Sequence, residues 1–121
     1  MTFATILFAH GARDPQWAEP FERIRARMLA VRPDLDVRLA YLELMTPSLE
    51  DAVAACADKG VVSIRLIPLF MAQGGHLKQD LPKKIAALRE RHPAVAITVS
   101  PPIGEVEAVL DLIATWALAQ S

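Results

Sequence analysis

Four short apolar runs alternate along the chain with four stretches in which apolar residues recur at helical spacing. The runs cover residues 5–9, 37–42, 61–68 and 95–99. They contain few charges and do not alternate between apolar and polar positions, which is typical of strands buried on both faces of a parallel sheet. The order of runs and stretches predicts an α/β fold with a doubly wound parallel four-stranded sheet flanked by helices.

The intervening stretches predict amphipathic helices, because their apolar residues recur three and four positions apart. Thr46 precedes a proline and is predicted to cap the second helix, and Asp80 is predicted to cap the third. Gly60 predicts the end of the second helix. The third helix is expected to end at His92, because the residue before a proline avoids the helical region. The last helix carries an apolar stripe formed by Val106, Val109, Leu110, Ile113 and Ala117.

Length and composition indicate one domain that covers residues 1–121. With 121 residues, 53% of them hydrophobic, the chain has the size of a single domain and can build a core without disulfides. One cysteine, Cys56, rules out an internal disulfide and a multi-cysteine metal cluster. A mean hydropathy of +0.27 is high for so small a domain, which suggests that a partner subunit covers some apolar surface.

The charge balance argues against two classes of partner. The chain has 13 Lys and Arg against 14 Asp and Glu, so it lacks the basic balance typical of nucleic-acid binding. Its longest basic run is Lys83-Lys84, too short for a polybasic membrane patch. Residues 1–10 do not resemble a secretory signal, and no apolar stretch reaches the ~18 residues of a spanning helix. We therefore expect no nucleic acid, no membrane and a cytoplasmic location.

The candidate site residues are those that directly follow the predicted strands, because ligands of open parallel sheets bind beyond the carboxyl ends of the strands. His10 follows the first run, Glu43 follows the second, and His76 is predicted in the loop after the third. Two neutral imidazoles and a carboxylate suit a divalent metal such as Co²⁺, Fe²⁺, Ni²⁺ or Zn²⁺, with positions left open for substrate. Arg13 and Lys78 are predicted at the same edge, where they can receive substrate carboxylates or phosphates.

Each of these residues also has an ordinary structural explanation. A histidine after a strand, such as His10, often caps or hydrogen-bonds its neighbours, and a glutamate near a helix start is favoured by the helix dipole. His76 follows two glycines and so can lie in a simple surface turn. We assign no role to His92, and Cys56, on an apolar helix stripe, is expected to be inert core.

Three motifs together resemble the class II tetrapyrrole chelatases. FAHGARDP, residues 8–15, is similar to the opening His-Gly-Ser-Arg-Asp-Pro signature of that family. YLELMTPS, residues 41–48, is similar to its second motif, a Leu-Glu followed by Pro-Ser at a helix start. PLFMAQGGHLKQDLP, residues 68–82, resembles the third, in which Gly-His precedes Asp-Ile-Pro. The motifs occur in family order and spacing, and they point to sirohydrochlorin chelatases of the CbiX and SirB type, in the short single-domain form.

The resemblance implies a chelatase-like fold of flavodoxin-like topology and an activity, the insertion of Co²⁺ or Fe²⁺ into sirohydrochlorin for cobalamin or sirohaem. It implies no organic cofactor, since the divalent metal (Co²⁺, Fe²⁺ or Ni²⁺) is a substrate. It assigns His10 and His76 to metal binding and proton acceptance, and Glu43 to a carboxylate that assists the metal. Which histidine is ligand and which is base stays open. The carboxylates of the macrocycle give Arg13 and Lys78 a substrate-binding role.

Two departures from the family pattern bear on this interpretation. Ala12 stands where the family has serine, so the hydrogen bond of that hydroxyl is missing. Many bacterial members carry two such domains, whereas this chain has one, which resembles the short form that pairs as a homodimer. The last helix offers an apolar face for such an interface, formed by Val109, Leu112, Ile113 and Trp116. A degenerate paralogue is the alternative.

Other functions compete with the chelatase hypothesis. A histidine phosphatase needs an arginine before its first-strand histidine, and Ala9 occupies that place. A receiver module needs acidic residues after its first and third strands, and a flavin site needs a phosphate-binding loop; neither pattern is present. A non-catalytic carrier or sensor of metal or tetrapyrrole uses the same ligands as an enzyme, so sequence leaves it open.

Overall fold

A computed structural model describes residues 2–121 of the chain. Strands and helices alternate along these residues, as the hydrophobic pattern predicts. The strands are β1 (Phe3–Ala9), β2 (Val37–Tyr41), β3 (Ser63–Pro68) and β4 (Ala96–Val99). The α-helices are α1 (Glu19–Val31), α2 (Leu49–Asp58), α3 (Gly75–Arg91) and α4 (Glu107–Ala119). Short 3₁₀ turns, Pro15–Ala18 and Ile103–Glu105, precede α1 and α4.

The four strands form one parallel sheet in the order β2-β1-β3-β4. At its centre, Ile6 of β1 pairs with Arg38 on one side and Leu66 on the other. This arrangement confirms the predicted doubly wound α/β class. Because β1 lies between β2 and β3, the chain changes direction across the sheet at β1, which is where ligands bind in such folds.

The main hydrophobic core lies on one face of the sheet, beneath α2 and α3. Phe8, Ile6, Ile64 and Leu66 point into this core and are almost completely buried. A smaller cluster on the opposite face joins Trp17 and other residues around α1 to the ends of β1 and β2. The members of that smaller cluster are Ala9, Ala18, Tyr41, Trp17, Phe21, Leu39 and Met45.

The prediction that every strand is buried on both faces is wrong for β3 and β4. Along β3 buried positions alternate with exposed or half-buried ones, and Arg65 is exposed. In β4 Ile97 is buried and the other residues, including Thr98, are exposed. The physical reason is that α1 covers only the β1–β2 side of this face. The predicted apolar stripe of α4 is also exposed or only half-buried, since none of residues 107–119, all of them described, is buried.

The predicted helix starts were placed wrongly, whereas the ends were confirmed. Ser48, not Thr46, caps α2, because its hydroxyl accepts a hydrogen bond of 3.1 Å from the Asp51 amide. The Thr46–Pro47 peptide is cis and lies outside the helix. Asp80 lies inside α3, which begins at Gly75. As predicted, α2 ends just before Gly60 and α3 ends just before His92.

Candidate metal and substrate site

His10 and Glu43 form a pair at the carboxyl edge of the sheet. His10 Nε2 lies 3.0 Å from Glu43 Oε1, so a protonated Nε2 donates to the carboxylate. The backbone brings the two residues together by extending the β1–β2 pairing past the strands. The Leu42 amide donates to the Ala9 carbonyl at 3.0 Å, and the Glu43 amide donates to the His10 carbonyl at 3.1 Å.

Gly11 allows this close approach. Its φ of +96° lies in the region that disfavours side chains other than glycine. A Cβ at this position would lie 1.9 Å from the carbonyl oxygen of Glu43. Sequence reasoning used Gly11 only as part of a motif, although a glycine directly after a strand-end histidine signals such an approach. Gly11 is therefore a structural requirement of the His10–Glu43 pair.

The pair is accessible to a ligand and is supported from below by aromatic rings. The side chains of His10 and Glu43 are 53% and 55% exposed. The His10 ring meets Phe70 edge to face, with centroids 6.3 Å apart, and Phe70 meets Phe8 in the same way at 5.4 Å. Buried aromatic rings thus lie beneath an imidazole that the neighbouring carboxylate orients, an arrangement that suits metal binding or proton acceptance.

His76 lines the same cavity as His10 and Glu43, a space of about 390 Å³. It lies in the first turn of α3 rather than in a loop, so the predicted loop position is wrong. The reason is that Gly74, with an extended backbone, already serves as the cap of the helix. The other residues around the cavity are Leu42, Ala72, Gly74, Leu77, Asp80 and Lys84.

The three predicted ligands share a cavity but do not form a closed metal cage. Among residues 2–121, no three His, Cys, Asp or Glu side chains are grouped closely enough to hold a metal ion together. The arrangement is instead a hydrogen-bonded His–Glu pair on β1 and β2, with a separate imidazole on α3. The two imidazoles and the carboxylate thus border one space without forming a single cluster.

The predicted basic residues, Arg13 and Lys78, line neighbouring depressions rather than this cavity. Arg13 borders one with Tyr41 and Thr46, and Lys78 borders another with Arg89. The cation that does line the cavity is Lys84, whose Nζ lies 3.2 Å from Glu50 Oε2.

The sequence favoured a solvated surface for Lys84 and a helix cap for Asp80, so it placed neither residue in the site, whereas both line the cavity. The signal was present, because His76, Asp80 and Lys84 are spaced four residues apart and therefore lie on one face of a helix. Predicting a loop instead of a helix at His76 concealed this spacing.

Burial raises the pKa of two titratable side chains outside the cavity. Burial raises the pKa of the Cys56 thiol, which is 0% exposed within the core between the sheet and α2. Burial also raises the pKa of the Tyr41 phenol, and the nearby Glu22 carboxylate adds to the effect. Neither residue lines the cavity of His10 and His76.

The fold and the site together define a class of protein. It is a parallel α/β domain that presents imidazoles and a carboxylate at the carboxyl edge of its sheet. Residues 4–117 match the family described as CbiX, and the chain belongs to that family.

Curated relatives carry the names of chelatases. The chain is 29% identical to the sirohydrochlorin ferrochelatase of Priestia megaterium over 91% of its own length and 41% of that protein. It is also 29% identical to the sirohydrochlorin cobaltochelatase of Methanosarcina acetivorans, over 89% of this chain and 88% of that one. The chain thus spans less than half the length of the first relative and most of the second.

Solved structures agree with this assignment. A CbiX protein from Marinobacter aquaeolei VT8 superposes with a TM-score of 0.79 at 32% identity, covering 98% of this chain and 99% of that one. SirB from Bacillus subtilis with Fe³⁺ superposes with a TM-score of 0.74 at 28% identity, covering 92% of this chain and 44% of that one. Within the described part of the chain, no helix is long and apolar enough to span a membrane.

Proposed function

We propose that this chain is a metal chelatase that inserts Co²⁺ or Fe²⁺ into sirohydrochlorin. Membership of the CbiX family and the names of the relatives support the substrate and the reaction class. The single observation that carries the proposal is the cavity that joins the His10–Glu43 pair to His76. The metal is a substrate, and the reaction needs no organic cofactor.

The reaction requires a general base next to a metal-binding position. As a divalent ion enters the macrocycle, two pyrrole N–H bonds break, two protons leave, and the ring nitrogens bind the metal. A neutral imidazole can accept a proton or bind a metal, and the cavity holds two of them. We assign metal delivery to His10 with Glu43, because the carboxylate partially offsets the charge of the ion, and proton acceptance to His76.

Cationic side chains lie in and beside the cavity, where they can bind the carboxylates of an acidic macrocycle. Lys84 lines the cavity itself, whereas Arg13 and Lys78 lie in depressions beside it. Charge-assisted hydrogen bonds from these groups to peripheral carboxylates would orient a ring larger than the cavity. We therefore propose Arg13 and Lys78 as substrate-binding residues of the rim. We also propose that the protein works in the cytoplasm as a homodimer without nucleic-acid or membrane partners.

Anaerobic turnover tests the proposal against a carrier or sensor. Purified protein is mixed with sirohydrochlorin and Co²⁺, Fe²⁺ or Ni²⁺, and tetrapyrrole absorbance is followed against a protein-free control. His10→Ala and His76→Ala should each lower the protein-dependent rate by about 100-fold or more, the usual range for lost acid–base catalysis. His92→Ala is the matched control, since His92 lies at the far end of α3. Stoichiometric binding without acceleration would instead identify a carrier.

A further inference from the structure

Leu44 has a backbone conformation that leucine rarely adopts. Its φ of +65° lies in the left-handed region, and within residues 2–121 no other residue except glycine has a positive φ. In this region a Cβ crowds the following carbonyl oxygen, so leucine is disfavoured there, whereas glycine and asparagine are tolerated. Residues held in such conformations cluster at functional sites, where the surrounding structure imposes them.

The side chain of Leu44 is exposed beside the His10–Glu43 pair. It follows Glu43 directly, is 60% exposed, and lines the depression that holds Arg13. Burial in the core therefore does not offset the cost of its backbone conformation. A large apolar side chain that is both strained and exposed, next to titratable groups, indicates contact with a ligand.

A second large apolar side chain, Met71, is exposed in the loop after β3. It is 55% exposed, and both of its chain neighbours belong to the site, since the Phe70 ring contacts His10 and Ala72 lines the cavity. The loop is held from behind by the Gly104 amide, which donates to the Phe70 carbonyl at 3.1 Å. A Cβ on Gly104 would clash with the Met71 carbonyl, so the two backbones are in close contact. Met71 is thus presented on a fixed loop.

The order of the strands places Leu44 and Met71 on opposite sides of His10. His10 follows β1, which lies between β2 and β3, whereas Leu44 follows β2 and Met71 follows β3. Neighbouring strands lie about 4.8 Å apart, so the ends of β2 and β3 are about 10 Å apart across His10. We call Leu44 and Met71 the flanking residues.

Cations lie beyond the flanking residues at both ends of this edge. Leu44 borders the depression of Arg13, and the depression of Lys78 is lined by Gln73, which belongs to the same loop as Met71. Across the edge, a cation and an apolar side chain therefore lie on each side of the imidazole. The ligand that matches this pattern is flat, with apolar faces and with anionic groups at its periphery.

We propose that Leu44 and Met71 contact the face of the metal-free macrocycle on two sides of His10 and hold the plane of its ring across the strand ends. Covering the flanking residues with the ring supplies affinity, whereas the cations orient the ring by binding its carboxylates. A metal ion has no apolar face, so the flanking residues do not contribute to metal binding. The inference rests on the proposed function, because it takes the macrocycle of that reaction as the ligand.

Binding of metal-free sirohydrochlorin to variants of the full chain tests the inference, with anaerobic tetrapyrrole fluorescence as the readout. Leu44→Asn removes the apolar side chain and tolerates the left-handed backbone, and Met71→Gln keeps the length of the side chain. Both positions are exposed, so the variants should fold, and Leu44→Asn should unfold at no lower temperature than the wild type. Val31→Asn is the matched control, because Val31 is 79% exposed but ends α1, at the amino edge of the sheet.

We expect each single variant to bind the macrocycle about 10-fold more weakly than the wild type, and the double variant about 100-fold more weakly, since each loses apolar contact area. The Val31→Asn control and Leu44→Met, which keeps an apolar side chain, should bind like the wild type. Titration with Co²⁺ alone should give the same affinity for all of these proteins.

Equal binding of the macrocycle by the wild type and the double variant would overturn the inference. A lower mass of the double variant in light scattering would also overturn it, because the flanking residues would then cover a second copy of the chain. A wild type that binds no macrocycle would contradict both this inference and the proposed function. Weaker binding by the variants of a chain that never inserts metal would support the inference and contradict only the proposed function.

Discussion

At the scale of single residues, the candidate site depends on backbone geometry as much as on its titratable groups. His10 and Glu43 meet because two amide-to-carbonyl hydrogen bonds continue the β1–β2 pairing beyond the strands. Gly11 permits that continuation by adopting a φ of +96° directly under the Glu43 carbonyl. The geometry of the site therefore depends on Gly11, which allows the close approach because it has no side chain.

Replacing Gly11 with alanine should destabilise the protein and disturb the pair. The left-handed backbone costs about 1–2 kcal/mol for a residue with a Cβ, and the clash with Glu43 adds roughly 1–3 kcal/mol. Gly60→Ala is the matched control, because Gly60 also has a positive φ, +81°, but nothing lies within 4 Å of its Cβ. Urea titration should show a larger loss for Gly11→Ala than for Gly60→Ala. Equal losses would contradict the assigned role of Gly11.

Cys56 should be chemically inert in the folded protein. Burial raises the pKa of its thiol, so at pH 8 less of it is present as the reactive thiolate than in an exposed cysteine. The side chain is also 0% exposed, so a thiol reagent can react only after local or global unfolding exposes it. We expect labelling by an aromatic disulfide to be at least about 100-fold slower in buffer than in urea. Rapid labelling of the native protein would show that α2 does not hold Cys56 in the core.

At the scale of elements, the segment between β2 and α2 carries Glu43 to the site. This segment, residues 42–47, is anchored at both ends. The Tyr41 amide donates to the Pro47 carbonyl at 2.9 Å, and Ser48 both pairs with Tyr41 and caps α2. A short loop held in this way presents a carboxylate in one place.

Ser48→Ala should therefore affect both stability and the site. Loss of a serine cap costs about 1 kcal/mol. The same change frees the end of the segment that holds Glu43, so metal affinity should fall while the fold persists. Thr46→Ala is the control, because Thr46 does not cap the helix. Thermal unfolding and Co²⁺ titration measure the two effects, and a Thr46→Ala loss as large as that of Ser48→Ala would contradict this assignment.

The pattern of elements was readable from the sequence, but several boundaries were not. Buried runs and helical spacing predicted every strand and helix, because periodicity reports which side of an element meets the core. The true cap, Ser48, was signalled by Asp51 three residues later, yet the proline after Thr46 offered a competing start. His76 was assigned to a loop because two glycines precede it, whereas a glycine can also serve as a helix cap.

At the scale of the whole molecule, the sequence could not show which faces of the sheet remain uncovered. Strand order follows from tertiary packing, so local patterns did not predict the position of β1 or the uncovered face of β3 and β4. Only the resemblance, through its flavodoxin-like topology, implied the observed order β2-β1-β3-β4. The convergence of His10 and Glu43 was predictable, because strand ends of a parallel sheet meet at one edge. The distance from His76 to that pair was not predictable, because it depends on how α3 packs against the sheet.

Hydrogen exchange on the full chain tests how this architecture divides into stable and unstable parts. The amides of β1 should exchange slowest, since β1 lies between two strands and its inward side chains fill the core. The amides of α4 should exchange with less protection than those of β1, because none of the 13 residues of this helix is buried and a short helix with little tertiary packing is marginally stable. Protection of the α4 amides equal to that of the β1 amides would contradict this division.

The loop after β3 links this result to the site. Its Phe70 carbonyl accepts the hydrogen bond from Gly104, and Ala72, two residues later, lines the cavity of His10 and His76. The exchange of residues 70–74 should therefore follow the protection of the 3₁₀ turn Ile103–Glu105, since the hydrogen bond from Gly104 holds the turn to this loop. Fast exchange of residues 70–74 in a protein whose 3₁₀ turn is protected would contradict this link between the turn and the site.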